Sequence, residues 1–485
     1  MPALQREAVC PPPGRATDER HGRETALTQA PRPKMLLALA VVAVEAVATT
    51  LVPTGWAAAD WRALVVALAA IAFWATALLP EDLTGLAFFT VAMILAVAPP
   101  GTVFAGFSSA AVWLVFGGLV IGAAVGDTGL DRVIAARFRP YFQGSYTRCV
   151  ALTVALAVAL AFLVPSTMTR VVLLVPVVTA LAEELGYERG GPGFTGLALA
   201  AIFASYYPAV TILPAAVPTV ALVGAAEALH GERLTYAAFL ATHGPVLGAA
   251  KAGLIVVVLV RLFPAGAPTP ATPRPARDIE ADPRRPRLTA LLVVGLALWA
   301  TDAVHGISPA WIALALGLVC VLPGVGVLAP AELQRKVNLR PVFYVAAILG
   351  VGAVIAGTGA GADAVRALAA AGWLAPGRDL VNELVLATAA LATGAVATMP
   401  GIAAVLVPLA GDVAEVTGLG LDAVFRAYVL GYATAFLPYQ LPPVIVALGL
   451  AGVPIGAAAR ATLVLALVSV VVTWPLSLVW WRLIA

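Results

Sequence analysis

Apolar runs recur along the whole chain, and several reach the roughly 18 residues that a helix needs to cross a lipid bilayer. The composition agrees, since 61% of the 485 residues are hydrophobic and 11% are charged, whereas soluble domains average about 45–50% and about 25%. A soluble fold could not bury this much apolar surface. The sequence therefore predicts an all-α polytopic protein of a cell membrane, with the lipid bilayer as its solvent and without a nucleic-acid partner.

The apolar runs and their breakers predict about 11 transmembrane helices and two re-entrant hairpins. Residues 1–34 are expected to form a disordered cytoplasmic tail, and the Pro- and Arg-rich stretch 264–287 a cytoplasmic linker between two halves, 35–263 and 288–485. Arginine-rich loops place the amino terminus in the cytoplasm and the carboxyl terminus outside. The predicted spans are 35–52, 60–79, 83–98, 110–126, 236–263, 288–304, 307–322, 341–358 and 457–481.

Two apolar segments are interrupted near their middle. The first, 150–181, is broken by Pro165, Ser166 and Thr167, which leaves two arms of about 15 residues, each about 22 Å long. Arms this short predict a re-entrant hairpin whose polar tip lies inside the protein. A second hairpin is predicted at 384–413. Proline-broken helices are predicted after the hairpins, at 194–226 and 423–450.

The two halves carry an internal repeat. Seven residues of the first half recur at constant spacing in the second: Val112, Val115, Leu119, Gly122, Ala123, Thr128 and Gly129 match Val342, Val345, Leu349, Gly352, Ala353, Thr358 and Gly359. The hairpins and broken helices follow in the same order in both halves. Under the predicted topology the repeat is inverted, an arrangement that places a binding site near the membrane midplane and permits alternating access. The prediction is a secondary active transporter.

Three stretches carry a resemblance to a known family: AVWLVFGGLVIGAAVGDTGL at 111–130, FLVPSTMTRVVLLVPVV at 162–178 and FLPYQLPPVIVALGL at 436–450. They resemble the divalent anion:sodium symporter family of the ion transporter superfamily, whose members carry dicarboxylates, citrate or sulfate. The resemblance implies a small anionic substrate, sodium as the coupling ion and a homodimer.

The hairpin tips depart from that family. Its members carry Ser-Asn-Thr at both tips, where hydroxyls, the amide and backbone carbonyls hold sodium and the substrate carboxylate. Here the triplets are Ser166-Thr167-Met168 and Thr398-Met399-Pro400, so both asparagines are absent. Two alternatives stay open: a sodium-coupled carrier of di- or tricarboxylates or sulfate, and a sodium-independent anion exchanger or oxyanion exporter of the same superfamily.

The candidate site residues lie at the hairpin tips and helix breaks, where free backbone N–H groups and helix dipoles attract anions. Hydroxyls there could equally serve as helix caps. The predicted substrate-binding residues are Ser166, Thr167, Arg170, Thr219, Thr398, Pro218, Pro442 and Pro443. The predicted cation-binding residues are Ser166, Thr398, Pro214 and Pro438.

Arg170 is the most informative of these candidates, because a charge at membrane depth is costly unless it meets an anion, a carboxylate or water. The hypothesis is that Arg170 supplies the positive charge that sodium provides in relatives. The alternatives are that it pairs with a structural acid or reaches the interface. His243 and Lys251, eight residues apart on one span, are expected to have structural or interfacial roles.

An intramembrane enzyme is the alternative from a different class, and a channel is a further one. An enzyme would need paired acids, a metal-ligand cluster or a nucleophile with its base. The sequence contains no HExxH, no GxSxG and no Walker-type glycine loop. The expectation is a carrier that is not an enzyme, without a metal site or a cofactor other than a coupling ion.

Overall fold

The computed structural model describes residues 47, 50–52, 57–76, 78–130, 133, 137, 141, 142, 144–268, 282–324 and 326–484. Across these residues the regular elements are all helical, which confirms the all-α class predicted from the sequence. The predicted tail (1–34), most of the first predicted span (35–52) and the middle of the predicted linker (264–287) lie outside the described residues.

Several helices have the length and composition of membrane spans. In the described part of the chain, seven are long and apolar enough to cross a bilayer: Ala110–Thr128, Tyr146–Leu163, Pro192–Thr211, Tyr236–Leu262, Arg340–Gly357, Thr398–Thr417 and Ile455–Ile484. They identify a multi-pass membrane protein. The count of about 11 crossings and the re-entry of the two hairpins stay predictions.

The helices of the N-terminal half follow the predicted order. They are α1 (Ala58–Thr76), α2 (Glu81–Ile94), α3 (Pro100–Val103), α4 (Ala105–Ser108), α5 (Ala110–Thr128), α6 (Tyr146–Leu163), α7 (Thr167–Glu184), α8 (Pro192–Ala204), α9 (Val217–His230), α10 (Tyr236–His243) and α11 (Lys251–Leu262). Two short 3-10 turns, Ala209–Thr211 and Leu213–Ala215, lie between α8 and α9. A π-helical segment, Gly244–Ala250, joins α10 to α11.

The remaining helices belong to the C-terminal half. Its helices are α12 (Arg285–Ala300), α13 (Asp302–His305), α14 (Pro309–Val321), α15 (Pro330–Lys336), α16 (Arg340–Gly357), α17 (Ala360–Ala370), α18 (Asp379–Leu406), α19 (Ala410–Thr417), α20 (Leu421–Tyr432), α21 (Pro442–Ala451), α22 (Ile455–Val468) and α23 (Trp474–Ile484). The 3-10 turns Val407–Leu409 and Pro438–Gln440 and the π-helical segment Ser469–Thr473 lie between them.

Polar residues set the starts of several of these helices. The Ser145 side chain accepts a hydrogen bond from the Arg148 amide at the start of α6, and the Thr235 side chain accepts one from the Ala238 amide at the start of α10. Each bond satisfies a backbone donor that the helix leaves free. At the end of α5, Gly129 has a φ of 64°, the left-handed conformation that glycine adopts readily. Such local signals explain why helix ends lie within a few residues of the predicted ones.

Glycines bring the backbones of two helices into direct contact. A Cβ atom at Gly117 of α5 would lie 2.4 Å from the carbonyl oxygen of Ala313 in α14. The backbone fixes the positions of both the added Cβ atom and the carbonyl oxygen, so neither could rotate away. The close approach of α5 and α14 therefore requires glycine at this position.

Gly117→Ala is expected to lower the thermal unfolding midpoint of the purified protein, since overpacking typically costs about 1–3 kcal/mol. Gly449→Ala is the matched control, because a Cβ atom at this helical glycine would meet nothing within 4 Å. It should leave the midpoint unchanged or raise it slightly. Equal midpoints for the two variants in detergent would contradict the close approach of α5 and α14.

Helices of the two halves pack against each other. The helix that follows the first predicted hairpin tip, α7, packs against α21 of the second half, and α18 packs against α9 of the first half. The repeated glycines occupy similar places, since Gly122 contacts Thr169 and Gly352 contacts Ala404. Each therefore faces the helix that follows the predicted hairpin tip of its own half.

Candidate functional site

Four interruptions of helical structure meet in this central region. We call residues 164–166, between α6 and α7, the first junction, and Thr398, inside α18, the second junction. Residues 205–216, between α8 and α9, form the first break, and residues 433–441, between α20 and α21, form the second break. These are the positions at which the sequence predicted hairpin tips and broken helices.

Thr398 has an unusual backbone conformation, with a φ of 61° and a ψ of 166°. A β-branched residue adopts this region rarely, and holding it there costs on the order of 1–3 kcal/mol. The hydroxyl of Thr398 is buried, and among the described residues its one polar neighbour is the hydroxyl of Tyr344. Backbone strain combined with a buried hydroxyl that has so few partners is characteristic of a functional position.

Arg170 ties the first junction to the first break. Its side chain is fully buried. Nη1 donates a hydrogen bond to the Val164 carbonyl oxygen at 2.6 Å, and Nη2 donates to the carbonyl oxygens of Ser205 at 2.7 Å and Ala215 at 3.0 Å. Nη2 also lies 3.1 Å from the Thr167 hydroxyl, which itself donates to the Ala215 carbonyl at 3.0 Å. One guanidinium thus connects three separate backbone segments.

Two of the carbonyl oxygens that Arg170 binds lie at the negative ends of helices. Val164 follows the last residue of α6, and Ser205 follows the last residue of α8. Carbonyls at such ends lack intrahelical partners and carry the negative end of the helix dipole. In transporters with broken helices they coordinate cations. Among the described residues no carboxylate pairs with Arg170, and its full burial excludes snorkelling to the interface.

Lys251 is a second fully buried cation, at the second break. Its Nζ atom donates a hydrogen bond to the carbonyl oxygen of Ala433, which follows the last residue of α20, and lies 5.0 Å from the centroid of the Tyr207 ring. The sequence prediction of a structural or interfacial role missed this contact. The available signal was a single lysine within an apolar span, without an acid one helical turn away.

The two breaks are also joined by neutral hydrogen bonds. The Tyr207 hydroxyl donates to the Ala435 carbonyl at 3.1 Å. The Thr219 hydroxyl donates to the Val210 carbonyl at 2.7 Å and lies 3.2 Å from the Tyr432 hydroxyl. A movement that separates the two halves would therefore have to change these contacts.

Several buried donors in this region have no partner. Among the described residues they are the Tyr206 hydroxyl, the Nε2 amide of Gln440 and the Nε atom of Arg170, and the hydroxyls of Tyr344 and Thr398 have only each other as a hydrogen-bonding neighbour. Tyr344 lies next to Thr398, and Tyr206 lies close enough to Tyr344 and Tyr432 to interact electrostatically. Buried polar groups are nearly always hydrogen-bonded, so a cluster of unpaired donors indicates a position for a ligand. Sequence analysis did not identify Tyr206 or Tyr344 as site residues.

The predicted site residues lie at these interruptions. The Ser166 side chain caps α7 by accepting a hydrogen bond from the Thr169 amide at 3.3 Å. The remaining residues divide between the two halves: Thr167 and Arg170 follow the first junction, Pro214 lies in the first break, Pro218 and Thr219 begin α9, Thr398 is the second junction, Pro438 lies in the second break, and Pro442 and Pro443 begin α21. Their roles in substrate or cation binding stay predictions.

Cavities open at both ends of α5. One, with a volume of about 420 Å³, is lined by Ala110 and Leu114 at the start of α5 and reaches Leu213 in the first break. The other, of about 390 Å³, is lined by Gly126 and reaches Thr169 beside the first junction. The first junction and the first break are therefore approached from opposite ends of one helix.

A cluster of ion pairs lies at the second of these cavities. Asp127, at the end of α5, pairs with Arg284 at 2.7 Å and with Lys336. Arg284 also binds Asp282 at 2.7 Å, and this contact lowers the pKa of the Asp282 carboxyl to about 2. Both acids are held by cations, so the cluster joins the end of α5 to the start of the C-terminal half and to α15.

Broken helices, buried cations and cavities are features expected of a membrane transporter for anions. The family comparison agrees, because a model of the citrate transporter family (CitMHS) matches residues 70–433. The chain belongs to this family. The match confirms the resemblance to the ion transporter superfamily that was drawn from the hairpin and helix motifs. Family and fold are those of a carrier.

Two further proteins are similar to this chain. A membrane protein of Cupriavidus necator is 26% identical over 363 residues, which cover 72% of this chain and 70% of that protein. The crystal structure of the Alcanivorax borkumensis YdaH transporter superimposes with a TM-score of 0.51 and 16% identity, covering 79% of this chain and 86% of that one. The second similarity shows that the fold is that of a known transporter.

Proposed function

We propose that this chain is a secondary active transporter that carries di- or tricarboxylates such as citrate by alternating access. The buried guanidinium of Arg170, held by three backbone carbonyls, is the observation that carries the proposal. Lys251 adds a second buried positive charge, and neither cation has a carboxylate partner among the described residues. A multivalent anion would balance both charges, and an uncompensated charge inside a membrane is costly.

The unpaired donors support an anion as the ligand. Tyr206, Tyr344 and Thr398 offer hydroxyl groups that can donate to carboxylate oxygens. Free N–H groups at the starts of α7, α9 and α21 would add to them, aided by the positive ends of the helix dipoles. In this proposal the predicted substrate-binding residues at those helix starts contribute mostly through their backbone positions.

Arg170 also bears on which ion is coupled to anion transport. It occupies the carbonyl-rich position between the first junction and the first break, where a transporter of this kind would hold a coupling cation. A guanidinium keeps its charge at all physiological pH values. We therefore assign sodium-independent transport to this protein, in preference to the sodium-coupled alternative. Ser166 and Pro214, predicted to bind a cation, would then frame the guanidinium instead.

The two cavities support alternating access, since they approach the first junction and the first break from opposite ends of α5. The proposal places the chain in the plasma membrane as a homodimer, with its amino terminus in the cytoplasm and its carboxyl terminus outside. The ion pairs of Asp127 would then lie at the cytoplasmic cavity.

Counterflow in proteoliposomes tests the proposed function. Vesicles loaded with unlabelled citrate should take up labelled citrate with saturation kinetics, and succinate or sulfate added outside should compete according to their affinity. Intact citrate should be recovered from the vesicles, which distinguishes transport from an enzymatic reaction. The absence of counterflow with all three anions would overturn the proposal, and flux that does not saturate would indicate a channel.

A further inference from the structure

The ion-pair cluster borders a cavity that leads to the first junction. The cavity has a volume of about 390 Å³ and is lined by Gly122, Asp127 and Lys336. It reaches Thr169, whose hydroxyl donates a hydrogen bond to the Ser166 side chain at 2.9 Å. Sites for small molecules usually have volumes of about 300–1,000 Å³. The cavity is therefore large enough for a small organic anion, which would lie between Lys336 and the start of α7.

Two cations hold one carboxylate at this cavity. The Nη1 atom of Arg284 lies 2.7 Å from one oxygen of Asp127, and the Nζ atom of Lys336 binds the other oxygen. Arg284 directly precedes α12 and Lys336 ends α15, so the two cations come from different elements of the C-terminal half. Charge-assisted hydrogen bonds to both oxygens hold a carboxylate strongly. Arg284 and Lys336 therefore form a carboxylate-binding arrangement, with Asp127 as its present ligand.

Asp127 presents the same chemical group as the proposed substrate. A di- or tricarboxylate carries two or three carboxylates, and one of them inside the cavity would compete with Asp127 for the same donors. Such an exchange keeps both cations paired, whereas loss of Asp127 without a replacement would leave charge uncompensated at a partly buried position. An anion that carries carboxylates can thus replace Asp127, and an uncharged solute cannot.

Lys336 is suited to a change of partner. Its side chain is 38% exposed, and its ammonium group contacts Glu332 at 3.1 Å as well as Asp127. An ammonium is a compact charge on a flexible stem, so it can follow a new anion without a fixed geometry. Hydrogen bonds with Asp127 and Glu332 raise the pKa of Lys336, and the residue therefore stays charged throughout the physiological pH range.

Arg284 and α15 differ in how firmly the rest of the protein holds them. Arg284 also binds Asp282 at 2.7 Å and donates a hydrogen bond to the carbonyl oxygen of the buried Val327 at 3.0 Å. None of the seven residues of α15 is buried. Segments with few buried contacts open more readily than the rest of a fold. Arg284 is thus a fixed donor, and Lys336 is a movable one.

Positive charge prevails among the described groups of the cluster. Its acids are Asp127, Asp282 and Glu332, and its cations are Arg284, Arg285, Arg335 and Lys336. Arg285 donates a hydrogen bond to the Thr128 carbonyl oxygen at the end of α5 at 2.7 Å. A cleft with an excess of positive charge concentrates anions. The surroundings therefore favour an anion as the ligand of this cavity.

We propose that Arg284 and Lys336 form an entry site, at which a carboxylate of the substrate displaces Asp127 before the anion reaches the first junction. The inference rests on the proposed function and adds a second binding step to it. In the absence of substrate, Asp127 occupies the entry site and keeps the two cations in place. Lys336 consequently strengthens anion binding at the entry site, whereas Asp127 opposes it.

Chemical protection of Lys336 tests the entry site directly. The sequence has three lysines, Lys34, Lys251 and Lys336. Acylation of Lys336 by an amine-selective reagent can therefore be followed by mass spectrometry, with Lys34 as the internal control. Citrate at about ten times its half-protection concentration should slow the acylation of Lys336 in the purified wild-type protein by about 10-fold and leave that of Lys34 unchanged. Sodium chloride at the same ionic strength should not protect Lys336.

The outcomes of this experiment separate the inference from the proposed function. Citrate counterflow without protection of Lys336 would overturn the entry site and leave the proposed function intact. The absence of both counterflow and protection would refute the proposed function itself.

Asp127→Asn and Lys336→Gln have opposite expected effects. Asp127→Asn removes the competing carboxylate, so the half-protection concentration of citrate should fall by about 3–10-fold. Lys336→Gln removes a donor and should raise the KM for citrate counterflow by about 3–10-fold. Arg335→Gln, an exposed change one residue away, is the matched control and should leave this KM unaltered. An equal or higher half-protection concentration in Asp127→Asn, or equal KM values for Lys336→Gln and Arg335→Gln, would overturn the inference.

Tyr344→Phe distinguishes the entry site from the donors beside Thr398. Removal of the Tyr344 hydroxyl should weaken anion binding beside Thr398. It should leave the half-protection concentration at Lys336 unchanged, because Tyr344 is not among the residues that line this cavity. A half-protection concentration that rises in parallel with the KM would show that Lys336 reports anion binding at the deeper donors, and would overturn the inference.

Discussion

Arg170→Met is expected to lower citrate counterflow by about 100-fold or more and to destabilise the protein. The substitution removes the cation and leaves the carbonyl oxygens of Val164, Ser205 and Ala215 without their donor in a buried site. Removing one member of a buried, charge-assisted network typically costs about 3–5 kcal/mol. Counterflow rates and thermal unfolding midpoints of the wild type and the variant give the two magnitudes.

Arg460→Met is the control, since this arginine is exposed and should tolerate the change. Arg170→Ser separates the charge from the structural role, because it opens space among the same carbonyl oxygens. Sodium added to Arg170→Ser should restore part of the activity by occupying that space, as a cation would at half-helix ends. Wild-type rates in Arg170→Met would refute the assigned role, and an Arg170→Ser variant that folds but does not respond to sodium would show that Arg170 is purely structural.

Tyr344→Phe and Tyr206→Phe should each raise the KM for citrate by about 10-fold, because a hydrogen bond to a charged ligand contributes about 1.5–3 kcal/mol. The same substitutions should leave the thermal unfolding midpoint of the ligand-free protein unchanged or raise it. Both hydroxyls are buried, and apart from the contact between Tyr344 and Thr398 neither has a partner among the described residues, so their removal relieves a cost of up to about 1–3 kcal/mol. Opposite effects on stability and affinity are expected where a site is built for a ligand.

Tyr207→Phe is the comparison variant for these two substitutions. Its hydroxyl donates to the Ala435 carbonyl at 3.1 Å, so the substitution removes a hydrogen bond and should lower stability by about 1 kcal/mol. Saturation kinetics of counterflow and unfolding curves in detergent distinguish the three variants. If Tyr344→Phe and Tyr206→Phe destabilised the protein as Tyr207→Phe does and left the KM unchanged, the tyrosine hydroxyls would not form an anion site.

The sequence predicted the helical architecture well because its signals are local. Ser166 and Thr398 interrupt apolar runs, and the structure places a helix start at the first and a kink at the second. Pro214 and Pro438 lie in the two breaks, since proline removes a backbone donor and cannot continue a regular helix. Such effects depend on a few neighbouring residues, and the sequence contains them in full.

The chemistry of the site depends on contacts between distant residues. The contact of Lys251 with the Ala433 carbonyl joins positions 182 residues apart, and that of Tyr207 with Ala435 joins positions 228 apart. In the sequence, Lys251 is a single charge in an apolar span and Tyr344 a single aromatic residue. Only the packing of the two halves shows that Lys251 meets a helix end and that the buried hydroxyl of Tyr344 lies beside Thr398.

The role of Arg170 could be predicted from the sequence in part. Its position just after a helix interruption was sufficient to predict that its charge matters, because a charge at membrane depth needs a partner. The identity of the partners required the fold, since Ser205 and Ala215 come from the break that follows α8. The structure shows backbone carbonyls in place of the acid or the interfacial water that the alternatives assumed.

The most direct test of a fixed cation at the first junction is citrate counterflow by the wild-type protein in strictly sodium-free proteoliposomes, repeated with sodium on both sides. With Arg170 in the position of a coupling cation, the two rates should be equal within error, and a sodium gradient should not drive accumulation. Counterflow that requires sodium, or accumulation driven by a sodium gradient, would contradict the role assigned to Arg170.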